Sequence, residues 1–398
     1  MAKTPLILIE GGPARSAHLS LTEYEALRSL TIVDVAPTLE PGLYSVSAGR
    51  KIGAVSFGDM EVIVRPKIAD LNRLVFLLGY SLHRDIWRDD QVRLTQADDL
   101  LPALAEAFSR LGTSATEQGL LQGYRTIRDL MPVVRGRILA GEQMSRRYGL
   151  PVPLAVEYDD YTVDIAENRL LLAAAHRLLS VPGVSPAARR RLQRLRISLA
   201  DVTTLARGAA QPAWAPSRLN SRYHNALRLA EIVLAAQSFE HRAGELYVTG
   251  FMFDMWKVFE DFVCVALSDA IKVGAGRVAT QLPIYLDGEN QVRMKPDLTV
   301  LGSRGEVKAV FDAKYKAERP EGFPNADVYQ MLAYCTVTGL PDGHLVYAKG
   351  NEYPVTYAVR NSKVVVHCHA LDLSLKPSDL IAQIVAIADL AVRREQLK

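Results

Sequence analysis

Two carboxylates and a lysine in the segment "MKPDLTVLGSRGEVKAVFDAKYK" (294–316) could act together on a phosphodiester. The segment predicts a β-hairpin that turns at "GSRG". If that turn sets the register, Asp297 pairs with Val310, and alternation places Asp297, Asp312 and Lys314 on one face. The two aspartates are then diagonal neighbours, about 7–8 Å apart. One divalent ion could bridge them.

The chemistry of this set suits a magnesium-dependent hydrolase. Carboxylate oxygens are the hard ligands that Mg²⁺ prefers, and Mn²⁺ accepts the same donors. The backbone carbonyl of Ala313 is a further candidate ligand. A bound metal lowers the pKa of a water, and Lys314 could orient that water or stabilise the transition state. The structural alternative is a salt bridge, since Lys314 or Lys316 could neutralise a buried Asp312.

A second acid-x-lysine triplet, Glu306-Val-Lys308, lies in the same hairpin. Such triplets arise by chance, so only their distance from Asp297 can show which of the two belongs to a site. Glu306 is about four residues nearer the turn, roughly 13 Å from Asp297 at ~3.3 Å per residue. We therefore interpret Glu306 and Lys308 as a solvated strand start and Asp312 with Lys314 as the candidate site.

Two flanking helices carry further polar side chains. In "FMFDMWKVFEDFVCVAL" (251–267) Glu260 and Asp261 interrupt an apolar face, so an acid there could add a third carboxylate. In "NADVYQMLAYC" (325–335) Gln330 and Tyr334 are four residues apart and share one helix face. Both could hydrogen-bond toward the site or to a DNA phosphate. Each feature alone is common in packed helices, but their joint order favours a site.

The elements that must position these residues follow from hydrophobic periodicity. Residues 1 to about 70 read as short strands, and helical spacing begins at residue 71 and recurs over 100–130 and 222–239. From residue 246 the predicted order is helix 252–272, strand 278–286, hairpin 292–316, helix 325–338, strand 343–348, strand 353–369 and helix 377–395.

The predicted fold class is α+β and multidomain. Residues 1–120 form a β-rich and helical region, residues 121–245 a helical middle region, and residues 246–398 an α/β domain with a small central mixed sheet.

Composition restricts the class of protein. The chain has 398 residues, of which 49% are hydrophobic, and a net charge of +3, which permits a nucleic-acid partner without requiring one. No apolar run reaches the roughly 18 residues of a membrane span. Three widely spaced cysteines without a CxxC pair argue against a disulfide framework and a cysteine-rich zinc site. We expect a cytoplasmic protein without a membrane partner.

Basic residues outside the hairpin are candidate DNA contacts. The segment "SPAARRRLQRLR" predicts a helix capped at Ser185. Its stripe of arginines could follow phosphates or simply face solvent, and comprises Arg189, Arg190, Arg191, Arg194 and Arg196, of which Arg189, Arg190 and Arg194 are the candidate contacts. In "VRGRI", Arg135 and Arg137 could contact DNA or a partner, or form structural salt bridges with acids such as Glu157 or Asp159. Lys316 is a further candidate contact.

A histidine pair offers a competing metal site. Alternation along "KVVVHCHA" places His367 and His369 on one face of a strand, as a transition-metal pair would require. No further ligand is spaced to complete that site.

The hairpin and its flanks resemble the PD-(D/E)xK nuclease superfamily. Pro296-Asp297 corresponds to the first motif and Asp312-Ala313-Lys314 to the second. The resemblance implies that Glu260 is the helical acid and that Gln330 and Tyr334 are the QxxxY variant. It also implies Asp297, Asp312 and Glu260 as metal ligands.

Segments across most of the chain resemble McrC, the nuclease subunit of the McrBC modification-dependent restriction system. They run from about residue 50 to at least 340 and read "VRPKIADLNRLVFLLGYS", "VVRGRI", "YDDYTVDIAENRLLLAAAHRLL", "RYHNALRLAEIVL" and "MWKVFEDFV". The resemblance implies an endonuclease that cuts only when docked on a hexameric AAA+ GTPase, McrB, which recognises methylated cytosine in double-stranded DNA. Residues 1 to about 245 would face that ring and stimulate its GTP hydrolysis.

The chain itself contains no GxxxxGK[ST] sequence, so nucleotide chemistry belongs to a partner. Two other functions compete with the nuclease subunit. One is a non-catalytic adaptor that activates an AAA+ motor and keeps a vestigial nuclease fold, against which the intact Asp297, Asp312 and Lys314 argue. The other is a stand-alone repair nuclease.

Overall fold

The computed structural model describes residues 5–30, 33–49, 51–57, 60–68, 71–82, 100–146, 149–206, 209–243, 246–272, 277–315, 325–348 and 353–393. Lys316, a predicted DNA contact, lies outside these residues. The chain divides into two compact units, one formed by residues 1–94 with 236–398 and the other by residues 95–235. The boundaries expected after residues 120 and 245 do not coincide with these limits.

The N-terminal part of the first unit is rich in short strands, as predicted. Its elements are β1 (Leu6–Ile9), β2 (Arg15–His18), α1 (Leu21–Leu30), β3 (Val33–Pro37), β4 (Leu43–Ala48), β5 (Lys51–Phe57), β6 (Met60–Arg65) and α2 (Leu71–Leu82). Strands β2, β4 and β3 form one small sheet. Burial alternates along β6, because successive side chains point to opposite faces. Helix α1 was not predicted.

The second unit is mainly helical. Its elements are α3 (Leu100–Thr116), β7 (Gly123–Met131), β8 (Arg137–Ile138), α4 (Ala140–Arg146), β9 (Leu154–Thr162), α5 (Ala166–Leu179), α6 (Pro186–Ser198) and α7 (His224–Ala235), with a 3₁₀ turn at Ser221–Tyr223. The predicted helix over 100–130 is wrong beyond Thr116. Gly119, at a φ of 90°, ends the helix in a left-handed conformation that favours glycine.

The C-terminal part of the first unit returns to strands. Its elements are β10 (Gln237–Ala243), β11 (Leu246–Asp254), α8 (Met255–Lys272), β12 (Arg277–Thr280), β13 (Ile284–Tyr285), β14 (Arg293–Met294), β15 (Leu298–Leu301), β16 (Val307–Lys314), α9 (Asn325–Thr338), β17 (Asp342–Ala348), β18 (Val355–Ala358), β19 (Val365–Leu371) and α10 (Pro377–Arg393). Strands β10 and β11 complete a five-stranded sheet in the order β1-β6-β5-β11-β10.

Three expected boundaries near the site are wrong. The helix predicted from residue 252 begins at Met255, because residues 252–254 extend β11, which pairs with strands on both sides. The strand predicted over 278–286 breaks at Gln281. The strand predicted over 353–369 is an antiparallel pair, β18 and β19, which turns near Asn361 at a φ of 55°.

A six-stranded mixed sheet, in the order β12-β15-β16-β17-β19-β18, positions the candidate residues. Strand β15 runs antiparallel to β16, while β16, β17 and β19 are parallel neighbours. Helix α9 packs against β16 and β17, and helix α8 packs against β12 and β16. Fully burying each large apolar side chain between these layers contributes about 1.5–3 kcal/mol. The predicted small mixed sheet is confirmed.

Close packing between α9 and β17 leaves no room beside Gly343. A Cβ atom there would lie 2.6 Å from Cys335 Sγ and 2.6 Å from Met331 Cγ. We therefore expect Gly343→Ala to lower the free energy of unfolding by about 1–3 kcal/mol through overpacking, measured by urea denaturation. Gly288→Ala is the matched control, because a Cβ at Gly288 meets nothing within 4 Å. Equal stability of the two variants would contradict this packing.

Candidate active site

The hairpin register differs from the expected one and brings the two aspartates closer. Val310 pairs with Thr299, not with Asp297, and Leu298 pairs with Phe311. The shift arises from an irregularity between Val300 and Leu301 together with a turn that Gly302 N–H closes by donating to Glu306 O at 2.8 Å. One step beyond the Leu298 pair, Asp297 stands beside Asp312. The shift is two residues, so the shared face is retained.

Asp297 is held by its neighbours on both carboxylate oxygens. The backbone N–H of Ala313 donates to its Oδ2 at 2.8 Å, and the side-chain amide of Gln281 donates to its Oδ1 at 2.8 Å. The residue is 9% exposed. Ala313 therefore contacts the site through its N–H, whereas its carbonyl as a ligand stays a prediction.

Asp312 and Lys314 form a buried ion pair on β16. The Lys314 ammonium also donates to Gln330 Oε1 at 3.1 Å, and Gln330 Nε2 donates to the hydroxyl of Tyr334 at 2.8 Å. The Tyr334 hydroxyl in turn donates to the carbonyl of Lys295 at 3.2 Å. Gln330, which is exposed, and Tyr334, which is buried, thus hydrogen-bond toward the site, one of the two roles expected, and connect Lys314 to the segment that precedes Asp297.

Helix α8 presents Glu260 rather than Asp261 to the sheet. The Gln281 amide donates to Glu260 Oε1 at 2.9 Å, which joins that carboxylate to the same amide that holds Asp297. Asp261 is exposed on the same helix. Of the two acids, helix α8 therefore directs Glu260 toward the sheet and Asp261 toward solvent.

Burial makes this acid cluster difficult to ionise. Burial raises the pKa of Asp297 to about 6, and the neighbouring charge of Glu260 adds to that effect. Burial likewise raises the pKa of Asp312 to about 6, with a further contribution from the charge of Asp297. The pKa of Glu260 is raised by burial and by the charges of Asp261 and Asp312.

The surroundings of Lys314 favour its charged form, whereas those of the three acids favour the neutral form. Burial alone would lower the pKa of its ammonium, but the adjacent charge of Asp312 and the hydrogen bond to it outweigh that cost, and the pKa is raised. Lys314 therefore stays protonated at neutral pH. One cation beside three acids leaves the cluster with excess negative charge when the acids ionise.

The donor set fits Mg²⁺ better than a transition metal. In the part of the chain that the structure describes, no three His, Cys, Asp or Glu side chains are grouped to hold a metal ion. Mg²⁺ needs fewer, because it keeps several waters and is held by one or two carboxylates. Asp297 and Asp312 supply those two, and their raised pKa values are the cost that a divalent cation would offset.

Sequence reasoning missed two residues of this cluster. Gln281 has no sequence signal, because its role depends on the break after β12. Asp327, in the first turn of α9, is buried and accepts a hydrogen bond from the Tyr347 hydroxyl at 2.9 Å. Its charge contributes to raising the pKa of Asp312 and of Lys314. An acid at this position resembles an ordinary helix-dipole partner, which hides it in the sequence.

The arginines predicted to contact DNA all lie in the unit of residues 95–235. Arg135 pairs with Asp160 and Arg137 with Glu157, so the salt-bridge alternative describes both. Arg189 donates to the carbonyl of Leu179 at 2.9 Å. Arg190 and Arg194 are exposed on α6, whose predicted cap is confirmed, since Ser185 Oγ accepts from Ala188 N–H at 3.1 Å.

The histidine pair is explained by packing. His367 and His369 stack with His344, and His344 Nδ1 lies 3.1 Å from His369 Nε2. His367 Nε2 lies 2.8 Å from Asp342 Oδ1. Burial lowers the pKa of His369 to about 4. The rings therefore satisfy one another and an acid, as buried histidines do.

The raised pKa of Asp297 has a consequence for stability. An acid whose pKa rises on folding stabilises the chain below its unfolded pKa and loses that stabilisation as the pH rises through its folded pKa, here about 6. Without divalent cations, Asp297→Asn should gain about 1 kcal/mol over the wild type between about pH 5 and pH 7.5. Urea denaturation at the two pH values measures this.

The exposed Asp34→Asn variant is the control for that titration and should show no such gain. A stability difference between Asp297→Asn and the wild type that does not change with pH would contradict the raised pKa.

Among the described residues, none of the helices has both the length and the apolar composition of a membrane span.

No curated protein sequence matches the chain significantly. Two solved structures from Thermococcus gammatolerans resemble it. One, a refined half-complex from a tetradecameric assembly of McrB AAA+ hexamers with bound McrC, has a TM-score of 0.59 and 14% identity over 98% of this chain and 100% of that chain. The first likeness shows a shared fold.

The other, the McrBC complex determined by cryo-EM, has a TM-score of 0.37 and 17% identity over 67% of this chain and 88% of that chain. The model of the McrBC family, described as McrBC 5-methylcytosine restriction system component, matches residues 46–348. That range agrees with the resemblance expected from about residue 50 to at least 340. The chain therefore belongs to the McrBC family of 5-methylcytosine restriction system components.

Proposed function

We propose that this chain is the Mg²⁺-dependent DNA endonuclease subunit of a modification-dependent restriction complex that defends against phage. The active site would be a PD-(D/E)xK site built from Asp297, Asp312 and Lys314 with help from Glu260. The observation that carries the proposal is the buried pair of aspartates, Asp297 just before β15 and Asp312 on the adjacent β16, where Asp312 is ion-paired with the lysine. Two buried acids side by side are costly and are typical of functional sites.

Asp297 and Asp312 would hold the metal, with Glu260 and the carbonyl of Ala313 as additional ligands. The metal, Mg²⁺ or Mn²⁺, would supply an activated water and neutralise charge on the scissile phosphate. The protein fixes Asp297 in advance, because the Ala313 N–H and the Gln281 amide hold its carboxylate in one orientation. Pre-organised ligands lose little freedom when the substrate binds.

Lys314 would act as a fixed positive charge rather than as a base. The charge of Asp312 and the hydrogen bond to it raise the pKa of the ammonium, which favours its charged form. A buried ammonium close to the phosphate stabilises the extra negative charge of the transition state. Gln330 would keep the amine in place, and Tyr334 would hold the Gln330 amide in the orientation that presents its oxygen to Lys314.

A McrB-like hexameric AAA+ GTPase is the proposed partner. The fold is shared with a chain of a structure of McrB hexamers with bound McrC, and this sequence has no phosphate-binding loop of its own. The small sheet β7-β9-β8, helix α4 and their connections expose large apolar side chains, which are typical of interaction surfaces. These residues are Leu130, Val133, Val134, Ile138, Met144, Leu150 and Val152. They lie in the region, 1 to about 245, proposed to face the ring.

The proposed substrate is double-stranded DNA with modified cytosine, whose recognition would belong to the partner. Exposed Arg190 and Arg194 could follow its phosphates. Lys316, which follows Lys314 by two residues in the sequence, would add a further contact. A non-catalytic adaptor is the second candidate function. It is favoured by one observation, the ion pair between Lys314 and Asp312, which neutralises a buried aspartate without a metal ion.

A matched pair of lysine variants tests the nuclease. With its AAA+ partner, Mg²⁺ and GTP, the wild type should linearise plasmid containing 5-methylcytosine. Lys314→Met should lower the cleavage rate at least about 100-fold by removing transition-state charge stabilisation. Lys308→Met, in the exposed acid-x-lysine triplet of the same hairpin, should cut at the wild-type rate. Gel analysis of cleavage time courses measures all three.

Asp312→Asn separates the nuclease from the adaptor in the same assay. We expect it to abolish cleavage while still stimulating GTP hydrolysis by the partner. If the wild type and Asp312→Asn both stimulate GTP hydrolysis and neither cuts modified or unmodified DNA, the adaptor is the correct function.

A further inference from the structure

Gln281 contacts two acids of the candidate site at once. It follows β12, and its side-chain nitrogen lies 2.8 Å from Asp297 Oδ1 and 2.9 Å from Glu260 Oε1. Its backbone N–H also donates to the carbonyl of Asp297 at 3.1 Å. A primary amide has two N–H donors on one nitrogen, so a single side chain can hold two carboxylates together.

The two acids belong to different layers of the domain. Asp297 precedes strand β15 of the sheet, whereas Glu260 projects from helix α8. Glu260 is only partly buried, and its carboxyl group ends a flexible side chain. The amide of Gln281 therefore restricts Glu260 to the side of the sheet where Asp297 and Asp312 lie.

The backbone of Gln281 is unusual for its residue type. Its φ is 52°, a left-handed conformation that costs a residue with a Cβ atom of order 1 kcal/mol or more. The other described non-glycine residues with positive φ are Asn290 and Asn361. Asparagine adopts this conformation readily, but glutamine lacks that preference. Local backbone demands therefore do not explain the glutamine, and strain of this kind concentrates at functional sites.

We propose that Gln281 is a positioning residue that ties Glu260 to Asp297 and thereby makes the glutamate part of the divalent-cation site. The proposal rests on the proposed function. Each carboxylate oxygen has two lone pairs, so the hydrogen bond to Gln281 leaves capacity for a cation on the same groups. Without the amide, the carboxylate of Glu260 is no longer restricted to the site.

The test is a double-mutant cycle read out as Mn²⁺ affinity of the full-length chain by titration calorimetry. Gln281→Gly removes the amide and relieves the left-handed backbone, and we expect about 10-fold weaker Mn²⁺ binding, the usual cost of losing a residue that orients a ligand. Glu260→Gln should weaken binding similarly. The double variant should bind no more weakly than the weaker single variant, because both changes remove one contribution.

Two further variants separate positioning from a structural role. Gln281→Met keeps the length of the side chain but donates no hydrogen bond, and should weaken Mn²⁺ binding as Gln281→Gly does. Asn361→Gly relieves the same backbone conformation in the turn between β18 and β19 and should leave Mn²⁺ affinity unchanged. The thermal unfolding midpoint of Gln281→Gly should equal or exceed that of the wild type.

The outcomes distinguish this inference from the proposed function. If the wild type binds Mn²⁺ and cuts DNA with its partner, but Gln281→Gly binds Mn²⁺ as tightly as the wild type, the positioning role is wrong. Effects of Gln281→Gly and Glu260→Gln that multiply in the double variant would also overturn it. If the wild type neither binds Mn²⁺ nor cuts, the nuclease proposal fails, and the role of Gln281 fails with it.

Discussion

Two carboxyl groups buried side by side repel each other when both are charged, and the site depends on how this repulsion is offset. Asp297 and Asp312 meet because β15 and β16 pair in a register that brings them together. The protein supplies one ammonium, from Lys314, and donors to Asp297 from Ala313 and Gln281. These groups do not fully compensate the burial, since the pKa of each aspartate stays near 6. A divalent cation is the group that would offset the remaining cost of burying two negative charges.

Helix α9 links the site to the packing of the sheet. Helix α9 contributes both Gln330, which holds Lys314, and Tyr334, which is buried and returns a hydrogen bond to the carbonyl of Lys295. The same helix packs so closely on β17 that Gly343 has no room for a side chain. Packing of the core therefore also fixes the orientation of the site, because a shift of α9 would move Gln330, which binds Lys314.

Much of this arrangement could be predicted from the sequence. Alternation along a strand put Asp297, Asp312 and Lys314 on one face, and that result survived a wrong register because the error was two residues, an even number. The helix with Gln330 and Tyr334 was predicted with the bounds that the structure has. What failed depends on long-range pairing. The irregularity at Val300, the extension of β11 and the break at Gln281 are set by neighbouring strands, which local periodicity does not report.

The most direct test of the cation site is anomalous scattering from crystals of the chain equilibrated with Mn²⁺. The account predicts one strong peak between Asp297 and Asp312, with a carboxylate oxygen of each at about 2.1–2.2 Å, near the distance of a hard divalent ion. A map without a peak there at saturating Mn²⁺, with the ion pair between Asp312 and Lys314 unchanged, would contradict it. The two aspartates would then be a structural ion-pair cluster, and the adaptor would be the better description of this chain.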